Sequence, residues 1–410
     1  MSRRAVFFAT IAAGGGHVAT ATALSEALHA GYEGEFETRV SDVMAEFGAA
    51  ELDRRHKAQW KALLAQPRLV RWGQKVMDLT PAVTRASQGA LLDSFARRIA
   101  KELNELAPDL VVANHGWLAT VFAAARGRYG LRAPVGVFAT EPFDASALWS
   151  EPRSELVLAP SLAAAADLAR LGVPDDRLRV VGYPVRQAFL HPSTRAAARS
   201  ELGLADGFTC LLSLGAEGVA GEALVMVERL LDSGVAVLAV AGRNAELRSR
   251  LEALAGTRAG LTVFGFTNEM AKLLSAADVV VGKAGPASTM EALAVGRPVL
   301  VTAYAGLNEL AVVRFLAAHG LGGLTKVGEV GKAATAWRDA PERLAAAART
   351  AAALDFPGMT ARAAALIAAM ARGEALPVAA PGALGNFESV SKATLAAAPG
   401  RRAVQVHWRT

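Results

Sequence analysis

A short apolar run, a turn of small residues and the start of a helix follow one another between Val279 and Glu291. The β-branched residues 279–281 are typical of a strand buried on both faces. Gly285 and Pro286 favour a tight turn into a helix, because glycine tolerates positive φ and proline suits the first helical position. The N–H groups at such a helix start can bind a phosphate group. The pattern fits either a phosphate site or an ordinary strand–helix turn of an α/β domain.

Three polar side chains stand in the helix predicted after this turn. Ser288 or Thr289 could cap the start of that helix, as serine and threonine often do. Glu291 lies three residues after Ser288, so both side chains project near one face of the helix. A carboxylate placed there could accept hydrogen bonds from two neighbouring hydroxyl groups, such as those of a ribose.

Titratable side chains follow three other predicted strands. They are His17 in the glycine-rich turn after residues 3–11, His115 after residues 109–113, and Glu141 after residues 134–139. Parallel sheets place their chemistry at the carboxyl ends of their strands. The first of these turns lacks the GxGxxG spacing of a dinucleotide site, which argues against a dinucleotide-dependent oxidoreductase.

Length and composition indicate a two-domain globular protein. The chain has 410 residues, of which 52% are hydrophobic and 20% charged, and this length exceeds what one core usually supports. No apolar run reaches about 18 residues, so no transmembrane helix is predicted. The first apolar run ends in the glycine-rich turn, unlike a signal peptide. The single cysteine, Cys210, excludes an internal disulfide and fits a reducing compartment.

The positive charge is concentrated in residues 51–101, called here the basic segment. It holds eleven Lys/Arg and four Asp/Glu, whereas the whole chain has a net charge of +6. Tryptophan and leucine lie among these charges, a mixture that suits an anionic membrane surface. The alternative is a solvated basic helix packed on its own domain. Nucleic acid is disfavoured, because no binding motif accompanies the charge. The candidate membrane residues are Arg54, Arg55, Trp60, Lys61 and Trp72.

The alternation of strands and helices predicts an α/β fold with two doubly wound halves. Strands are predicted at 3–11, 109–113, 134–139, 156–159, 178–181, 208–214, 235–241, 261–265, 279–281 and 298–302. Helices are predicted at 20–30, 93–106, 161–171, 194–202 and 342–372. The expected domains are 1–190 and 191–372, with the last helix able to pack back on the first domain. Residues 373–410 are expected to form a poorly packed tail.

Several motifs together resemble GT-B glycosyltransferases of the family 28 type. This group contains monogalactosyldiacylglycerol synthases, processive diacylglycerol glucosyltransferases and the peptidoglycan lipid N-acetylglucosaminyltransferase. The resemblance spans about residues 5–325 and is closest to the first two. The residues that carry it are 14–17, Thr140, Glu141, Trp149, 182–186, 242–244, Gly265, Phe266, 283–286, Glu291, 296–298, Gly306, Asn308 and Glu309.

The resemblance implies two Rossmann-like domains facing across a cleft and an inverting transfer from a UDP-sugar donor, without a metal or another cofactor. The C-terminal domain would bind the donor. Its implied contacts are Gly215, Arg243, Phe266, Lys283, Gly285, Pro286, Ser288, Thr289, Glu291, Asn308 and Glu309. Helix N-termini and a cation such as Arg243 or Lys283 would stabilise the leaving diphosphate.

The resemblance also implies that the N-terminal domain binds a glycerolipid such as diacylglycerol, near Gly15, Gly16, His115 and Trp149. His17 is the leading candidate base, because the positive end of the helix dipole disfavours its protonated form and a neutral imidazole can take a proton. Glu141 is either the base itself or the carboxylate that orients it. A loop-orienting His17 and a merely structural His115 stay open as alternatives. The expected location is cytoplasmic, peripheral on the inner face of the cell membrane.

The sequence departs from the family pattern at two places. Ser146 stands where the family often has a histidine, and Leu307 is an extra residue within the family's Gly-Gln-Glu motif. Asn308 and Glu309 could therefore cap a helix or brace a loop instead of binding the sugar. Two alternative functions stay open: a non-catalytic sugar-nucleotide-binding or membrane-docking subunit, and a UDP-sugar 2-epimerase on the same fold.

Overall fold

The protein is built on two six-stranded sheets. The structure, a computed structural model, describes residues 3–12, 15–64, 66–213 and 220–376. Its internal contacts divide the chain into two compact units. Unit 1 contains the residues up to 186, residues 305–311 and those from 355 onward; unit 2 contains residues 187–304 and 312–354. The predicted tail lies outside the described residues beyond residue 376.

The sheet of unit 1 is entirely parallel. Its strands are β1 (Arg4–Thr10), β2 (Phe36–Asp42), β3 (Leu110–Ala113), β4 (Val135–Phe138), β5 (Leu156–Ala159) and β6 (Leu178–Val180). They lie in the order β2-β1-β3-β4-β5-β6. Alternate side chains of β1 enter two separate apolar clusters, Phe7 and Ala9 on one face and Val6 and Phe8 on the other. The sheet is therefore covered on both faces, as parallel sheets require.

The sheet of unit 2 is also parallel. Its strands are β7 (Thr209–Ser213), β8 (Ala236–Val240), β9 (Leu261–Phe264), β10 (Val279–Lys283), β11 (Val299–Ala303) and β12 (Gly322–Leu324). They lie in the order β12-β11-β10-β7-β8-β9. Read from the other edge, this is the Rossmann order 3-2-1-4-5-6. The two doubly wound α/β halves predicted from the sequence are confirmed.

The described residues contain seventeen α-helices, of which the last three follow the final strand β12. They are α1 (Gly15–Gly31), α2 (Val43–Glu46), α3 (Ala50–Leu64), α4 (Pro67–Leu79), α5 (Pro81–Leu106), α6 (Gly116–Tyr129), α7 (Leu162–Arg170), α8 (Gln187–Leu190), α9 (Arg195–Glu201), α10 (Ala220–Asp232), α11 (Ala245–Ala255), α12 (Met270–Ala276), α13 (Pro286–Ala294), α14 (Leu307–Ala318), α15 (Val330–Arg338), α16 (Pro341–Ala352) and α17 (Phe356–Arg372). Short 3₁₀ turns lie at Asp175–Arg177 and Val327–Glu329. Helix α17 belongs to unit 1, where Ala363 and Ile367 pack in the same cluster as Phe8.

The sequence missed some elements and joined others. Strands β2 and β12 were not predicted; β2 alternates buried and exposed residues at one edge, and β12 contains two glycines. The segment 342–372 is helical as predicted except at residues 353–355, where a break divides it into α16 and α17. At the break, Asp355 adopts a φ of 57° and its carboxylate accepts the Gly358 N–H at 3.1 Å, so it caps α17.

None of the described helices between residues 15 and 372 combines the length and the apolar character that crossing a membrane requires.

Candidate active site

Three of the predicted site residues follow strands that flank the switch point of a sheet. In unit 1 the strand order reverses between β1 and β3, and in unit 2 between β7 and β10. Open α/β sheets bind ligands at these positions, because the connections leave the two strands in opposite directions and open a crevice. His17 follows β1, His115 follows β3, and Gly285 follows β10.

His17 lies in the first turn of α1, against three residues of unit 1. Its Nδ1 is 3.1 Å from Thr140 Oγ1, at the end of β4. The His17 ring centroid is 4.6 Å from that of His115 and 5.9 Å from that of Trp149. Thr20 holds the turn, since its hydroxyl donates to the carbonyls of Gly16 and His17 at 3.2 and 3.1 Å. The predicted site residues His115 and Trp149 thus meet Thr140 around the His17 imidazole.

His115 is the N-cap of α6. Its Nδ1 accepts the Trp117 backbone N–H at 3.2 Å, so Nδ1 carries no proton in this arrangement. The residue is 8% exposed. The structural role that the sequence left open for His115 is therefore present, and the same ring lies against His17.

Glu141 is buried behind Thr140, with 8% of the residue exposed. Its Oε2 accepts the Ser146 backbone N–H at 2.9 Å, and the Ser146 hydroxyl donates to Oε1 at 3.4 Å. Burial, together with the nearby Asp144 charge, raises the pKa of the Glu141 carboxyl from 4.5 to about 8, although hydrogen bonds from Ser146 and Trp149 oppose the rise. A carboxyl that keeps its proton at neutral pH cannot be the base there. The orienting role is the alternative that fits this environment.

Trp149 connects Glu141 to His17. Its side chain hydrogen-bonds Glu141 and its ring lies beside His17. The residue is only 2% exposed, so within unit 1 it lines the histidine site and is not at a membrane surface.

In unit 2 the turn after β10 leads directly into α13. Gly285 is the N-cap of α13, Pro286 is its first residue, and no side chain caps the helix. The prediction that Ser288 or Thr289 caps α13 is therefore wrong: the helix begins two residues before Ser288, whose hydroxyl instead donates to the Gly285 carbonyl at 3.1 Å. The N–H groups of this first turn keep the character of an anion site.

Glycine is required just before this turn. A Cβ on Gly282 would lie 2.4 Å from the carbonyl oxygen of Ser213 on the paired strand β7. Lys283 follows a bulge in the pairing of β10 with β11, and its side chain is exposed. The predicted donor residue Gly215 lies outside the described residues.

Two polar side chains of α13 are turned inward. Thr289 is 1% exposed, and its hydroxyl has no hydrogen-bond partner within residues 3–12, 15–64, 66–213 and 220–376. Glu291 is 9% exposed and lies in the second helical turn. Its role as the ribose contact stays a prediction.

Arg243 and Phe266 form a pair at the ends of β8 and β9. The guanidinium carbon lies 4.1 Å from the Phe266 ring centroid, and 52% of Phe266 is exposed. Such a cation–π contact holds the arginine in place while its N–H groups can still donate. Asn244 caps the following helix α11 by accepting the Leu247 N–H at 2.9 Å.

Asn308 and Glu309 lie in the first turn of α14, in the segment 305–311 that groups with unit 1. Glu309 Oε2 accepts the Ala305 backbone N–H at 2.6 Å, so this carboxylate braces the loop before α14. Gln74 of α4 accepts the Leu307 N–H at 2.8 Å in the same loop. The loop-bracing alternative is present for Glu309, and a sugar contact for Asn308 stays a prediction.

Helix α4 exposes its apolar side. Leu69, Trp72, Val76 and Leu79 follow at spacings of three, four and three residues, which places them on one face, and they are 46%, 65%, 39% and 82% exposed. We call these four residues the apolar stripe. This spacing is present in the sequence, where basic residues lie between the apolar ones, and Leu79 was not predicted to belong to the surface.

The other membrane candidates differ from the apolar stripe. Arg54 and Arg55 are 70% and 72% exposed, and both pair with Glu51. Trp60 and Lys61 lie in α3, and their side chains are outside the described part of the chain. Among the described residues, no group of three or more His, Cys, Asp or Glu side chains could hold a metal ion.

Comparison with known proteins agrees with this geometry. Residues 215–309 match the glycosyltransferase family 28 C-terminal domain. The chain is 26% identical over 327 residues to monogalactosyldiacylglycerol synthase 1, chloroplastic, of Arabidopsis thaliana, covering 76% of this chain and 60% of that protein. It is 26% identical over 340 residues to the chloroplastic monogalactosyldiacylglycerol synthase of Spinacia oleracea, covering 79% and 64%. The chain thus spans about three fifths of the length of the curated relatives it matches.

Solved structures share the fold. Anabaena HepE in complex with UDP-glucose has a TM-score of 0.52 at 17% identity, covering 89% of this chain and 99% of that one. A putative UDP-N-acetylglucosamine 2-epimerase from Listeria monocytogenes has a TM-score of 0.58 at 14% identity, covering 92% and 99%. The GT-B fold and the resemblance to family 28 glycosyltransferases are confirmed.

Proposed function

We propose that this protein is an inverting, metal-independent glycosyltransferase that moves a hexose from a UDP-sugar to a membrane glycerolipid such as diacylglycerol. The observation that supports this most is the family 28 match over residues 215–309, which includes the helix start at Gly285. The lipid acceptor is suggested by the synthases to which the chain is similar, whose names specify monogalactosyldiacylglycerol.

Unit 2 would bind the donor. The diphosphate would lie at the N-terminus of α13, where backbone N–H groups and the helix dipole favour negative charge. Arg243, held by Phe266, and the exposed Lys283 would add positive charge. Glu291 would accept hydrogen bonds from the ribose hydroxyls. These groups offset the charge of the leaving diphosphate without a metal ion.

Unit 1 would supply the base. In this proposal His17 Nδ1–H donates to Thr140 Oγ1, which leaves Nε2 unprotonated and able to accept a proton. As the acceptor oxygen forms its bond to the sugar C1, its proton moves to His17 Nε2. The bond between C1 and the diphosphate oxygen breaks, its electron pair leaves with UDP, and the configuration at C1 inverts.

The apolar stripe would dock on an anionic membrane from one side of α4. Arg68 and Lys75 are exposed on the same helix, so cationic groups border the apolar face. This combination suits the interface of a bilayer that contains anionic lipids. The protein would then act as a peripheral enzyme on the inner face of the cell membrane.

The test uses the purified protein, a panel of radiolabelled UDP-sugars, and vesicles containing diacylglycerol. We expect one UDP-sugar to yield a labelled glycolipid on thin-layer chromatography, at the same rate with and without EDTA. Epimerisation of the sugar nucleotide without lipid would refute the proposal in favour of an epimerase. UDP-sugar binding without any conversion would indicate a non-catalytic subunit, and loss of transfer with EDTA would refute metal independence.

A further inference from the structure

Helix α4 holds a loop that is far from it in the sequence. Gln74 Oε1 accepts the Leu307 N–H at 2.8 Å, and Arg71 Nη1 donates to the Ala305 carbonyl at 3.3 Å. We call residues 305–307 the α14 loop, because they lead into that helix. The α14 loop and α4 both belong to unit 1. Two side chains of one helix therefore fix the backbone of the α14 loop at both of its ends.

Gln74 caps α14 from another part of the chain. Leu307 is the first residue of α14, and its N–H is one of those at a helix start that have no carbonyl partner within the helix. A side-chain oxygen that accepts such an N–H stabilises the helix start. Gln74 is only 9% exposed, so water competes little for this bond. Without the Gln74 oxygen, the α14 loop loses its contact at Leu307.

Gly306 brings the side chain of Gln74 next to that of Asn308. A Cβ on Gly306 would collide with Asn308 Oδ1 and would lie 3.1 Å from Gln74 Nε2. The two amide side chains are therefore neighbours, packed against one residue that has no side chain of its own. A shift of the α14 loop away from Gln74 must then move the Asn308 amide as well.

The Asn308 amide has the chemistry of a sugar contact. The residue is partly exposed, and its amide offers an acceptor and donors that match the hydroxyl groups of a hexose. The family 28 match ends at residue 309, so it includes the α14 loop and Asn308. The carbonyl of Ala303, at the end of β11, accepts the Ala284 N–H at 3.0 Å, just before the turn into α13. Along the chain, the α14 loop therefore follows the strand that borders the proposed diphosphate site.

The contact with the α14 loop lies on the opposite face of α4 from the apolar stripe. At about 3.6 residues per turn, Val70 and Gln74 are about half a turn away from Trp72 and Leu79. Val70 is 6% exposed, whereas Trp72 is 65% exposed. Binding of a membrane to the apolar stripe therefore does not require Gln74 to leave the α14 loop.

We propose that Gln74 is a positioning residue for the donor sugar. By holding the Leu307 N–H, it places the Asn308 amide against the hydroxyl groups of the hexose. Arg71 supports the same loop through Ala305. Because the nucleotide would be bound by groups of unit 2, the effect of Gln74 falls on the sugar and not on UDP. This inference rests on the proposed function, which makes a UDP-sugar the donor.

The experiment separates recognition of the sugar from recognition of the nucleotide. Calorimetry on the full chain gives the Kd of UDP, UDP-glucose, UDP-galactose and UDP-N-acetylglucosamine, and the sugar nucleotide that the wild type binds most tightly is used for all variants. Gln74→Met keeps the length of the side chain but removes the acceptor oxygen. Gln74→Glu keeps an acceptor oxygen, and its charge suits the positive end of α14. The control is Gln88→Met on α5, which removes an equally buried glutamine whose Oε1 accepts the Thr120 hydroxyl at 3.3 Å.

We expect Gln74→Met to raise the ratio of the UDP-sugar Kd to the UDP Kd about fivefold, the equivalent of about 1 kcal/mol. The Kd of UDP itself should not change. In the transfer assay the donor KM should rise by the same factor with little change in kcat, the pattern of a contact made equally in the ground state and the transition state. Gln74→Glu and Gln88→Met should keep the wild-type ratio, whereas a general loss of stability would affect both methionine variants.

Three results would overturn the proposal: a wild-type ratio in Gln74→Met, an equal defect in Gln74→Glu, or an equal defect in Gln88→Met. Failure of the proposed function gives a different pattern. If the wild type transfers no sugar to lipid but the ratio rises in Gln74→Met alone, Gln74 positions the sugar and glycosyl transfer is not the activity. If glycolipid forms with the same donor KM in Gln74→Met and the wild type, the proposed function stands and the role of Gln74 does not.

Discussion

Replacing Glu141 by glutamine tests whether this buried carboxyl is neutral in the folded protein. Burial and the Asp144 charge raise its pKa from 4.5 to about 8. Glutamine has the shape of the protonated acid: its carbonyl oxygen can accept the N–H groups of Ser146 and Trp149, and its amide group can donate to the Ser146 hydroxyl, which accepts as well as donates. Glu141→Gln should therefore preserve the local hydrogen bonds while removing the titration.

The direction and size of the pH effect on stability follow from the pKa of Glu141, which is 4.5 in the unfolded chain and about 8 in the folded protein. Below pH 4.5 both the folded and the unfolded chain hold the proton, so the group adds no pH dependence. Between pH 4.5 and about 8 only the folded state keeps it, and the free energy of unfolding falls as pH rises, by about 1.4 kcal/mol per pH unit. From pH 5 to pH 8 the wild type should lose about 4 kcal/mol through this group alone. Glu141→Gln should not show this loss.

The measurement is urea denaturation of both proteins at half-unit steps from pH 5 to pH 8.5, followed by tryptophan fluorescence. The two proteins should be of similar stability at pH 5, and the variant should be the more stable one at pH 8. Parallel curves across this range would show that Glu141 is ionised in the folded state. Turnover of Glu141→Gln at pH 7 should stay near that of the wild type, since a protonated carboxyl is not the base.

Three further sets of substitutions test the proposed base, the ribose contact and the membrane surface. His17→Ala should lower kcat by about 10²–10⁴-fold while calorimetry shows unchanged UDP affinity; near-normal turnover would move the base elsewhere. Glu291→Ala should weaken UDP binding by about ten- to a hundredfold, since bonds to a charged group contribute about 1.5–3 kcal/mol, and unchanged affinity would remove the ribose assignment. Trp72→Ser with Leu79→Ser should release the protein from anionic vesicles, whereas Leu106→Ser, which changes a side chain that is 47% exposed on α5, should not.

The sequence was most informative where a pattern is local. The buried runs of β3, β4 and β10 are apolar throughout, so their position was predictable. The position of edge strand β2 was not predictable, because only Phe36 and Ser41 of its seven residues are buried and polar residues interrupt the apolar ones. The capping of α13 by Gly285 was missed since glycine caps through its backbone and leaves no side-chain signal.

Contacts between residues that are distant in the sequence, and the protonation states that depend on them, could not be predicted. Thr140 and His17 are 123 residues apart, and only the adjacency of the strand ends brings them to 3.1 Å. The neutral state of Glu141 likewise depends on burial and on Asp144, not on residue type. The sequence placed His17 and His115 after predicted strands, but only the folded structure shows that their ring centroids are 4.6 Å apart.

Contacts within unit 1 also limit which cations of the basic segment can bind a membrane. Lys57 is held by two carboxylates, Arg85 donates to the carbonyls of Ser150 and Leu171, and Arg98 donates to that of Gly48. Lys57, Arg85 and Arg98 are thus engaged within unit 1, while Arg68 and Lys75 are exposed on the helix that carries the apolar stripe.

At about 1 kcal/mol per residue near an anionic surface, those two exposed cations contribute about 2 kcal/mol, or about thirtyfold in affinity. Raising NaCl to 0.5 M shortens the screening length to about 4 Å and should remove this contribution of Arg68 and Lys75. The remaining affinity should depend on Trp72 and Leu79. Complete release from vesicles by salt alone would show that the whole excess of charge, and not the apolar stripe, holds the protein to the membrane.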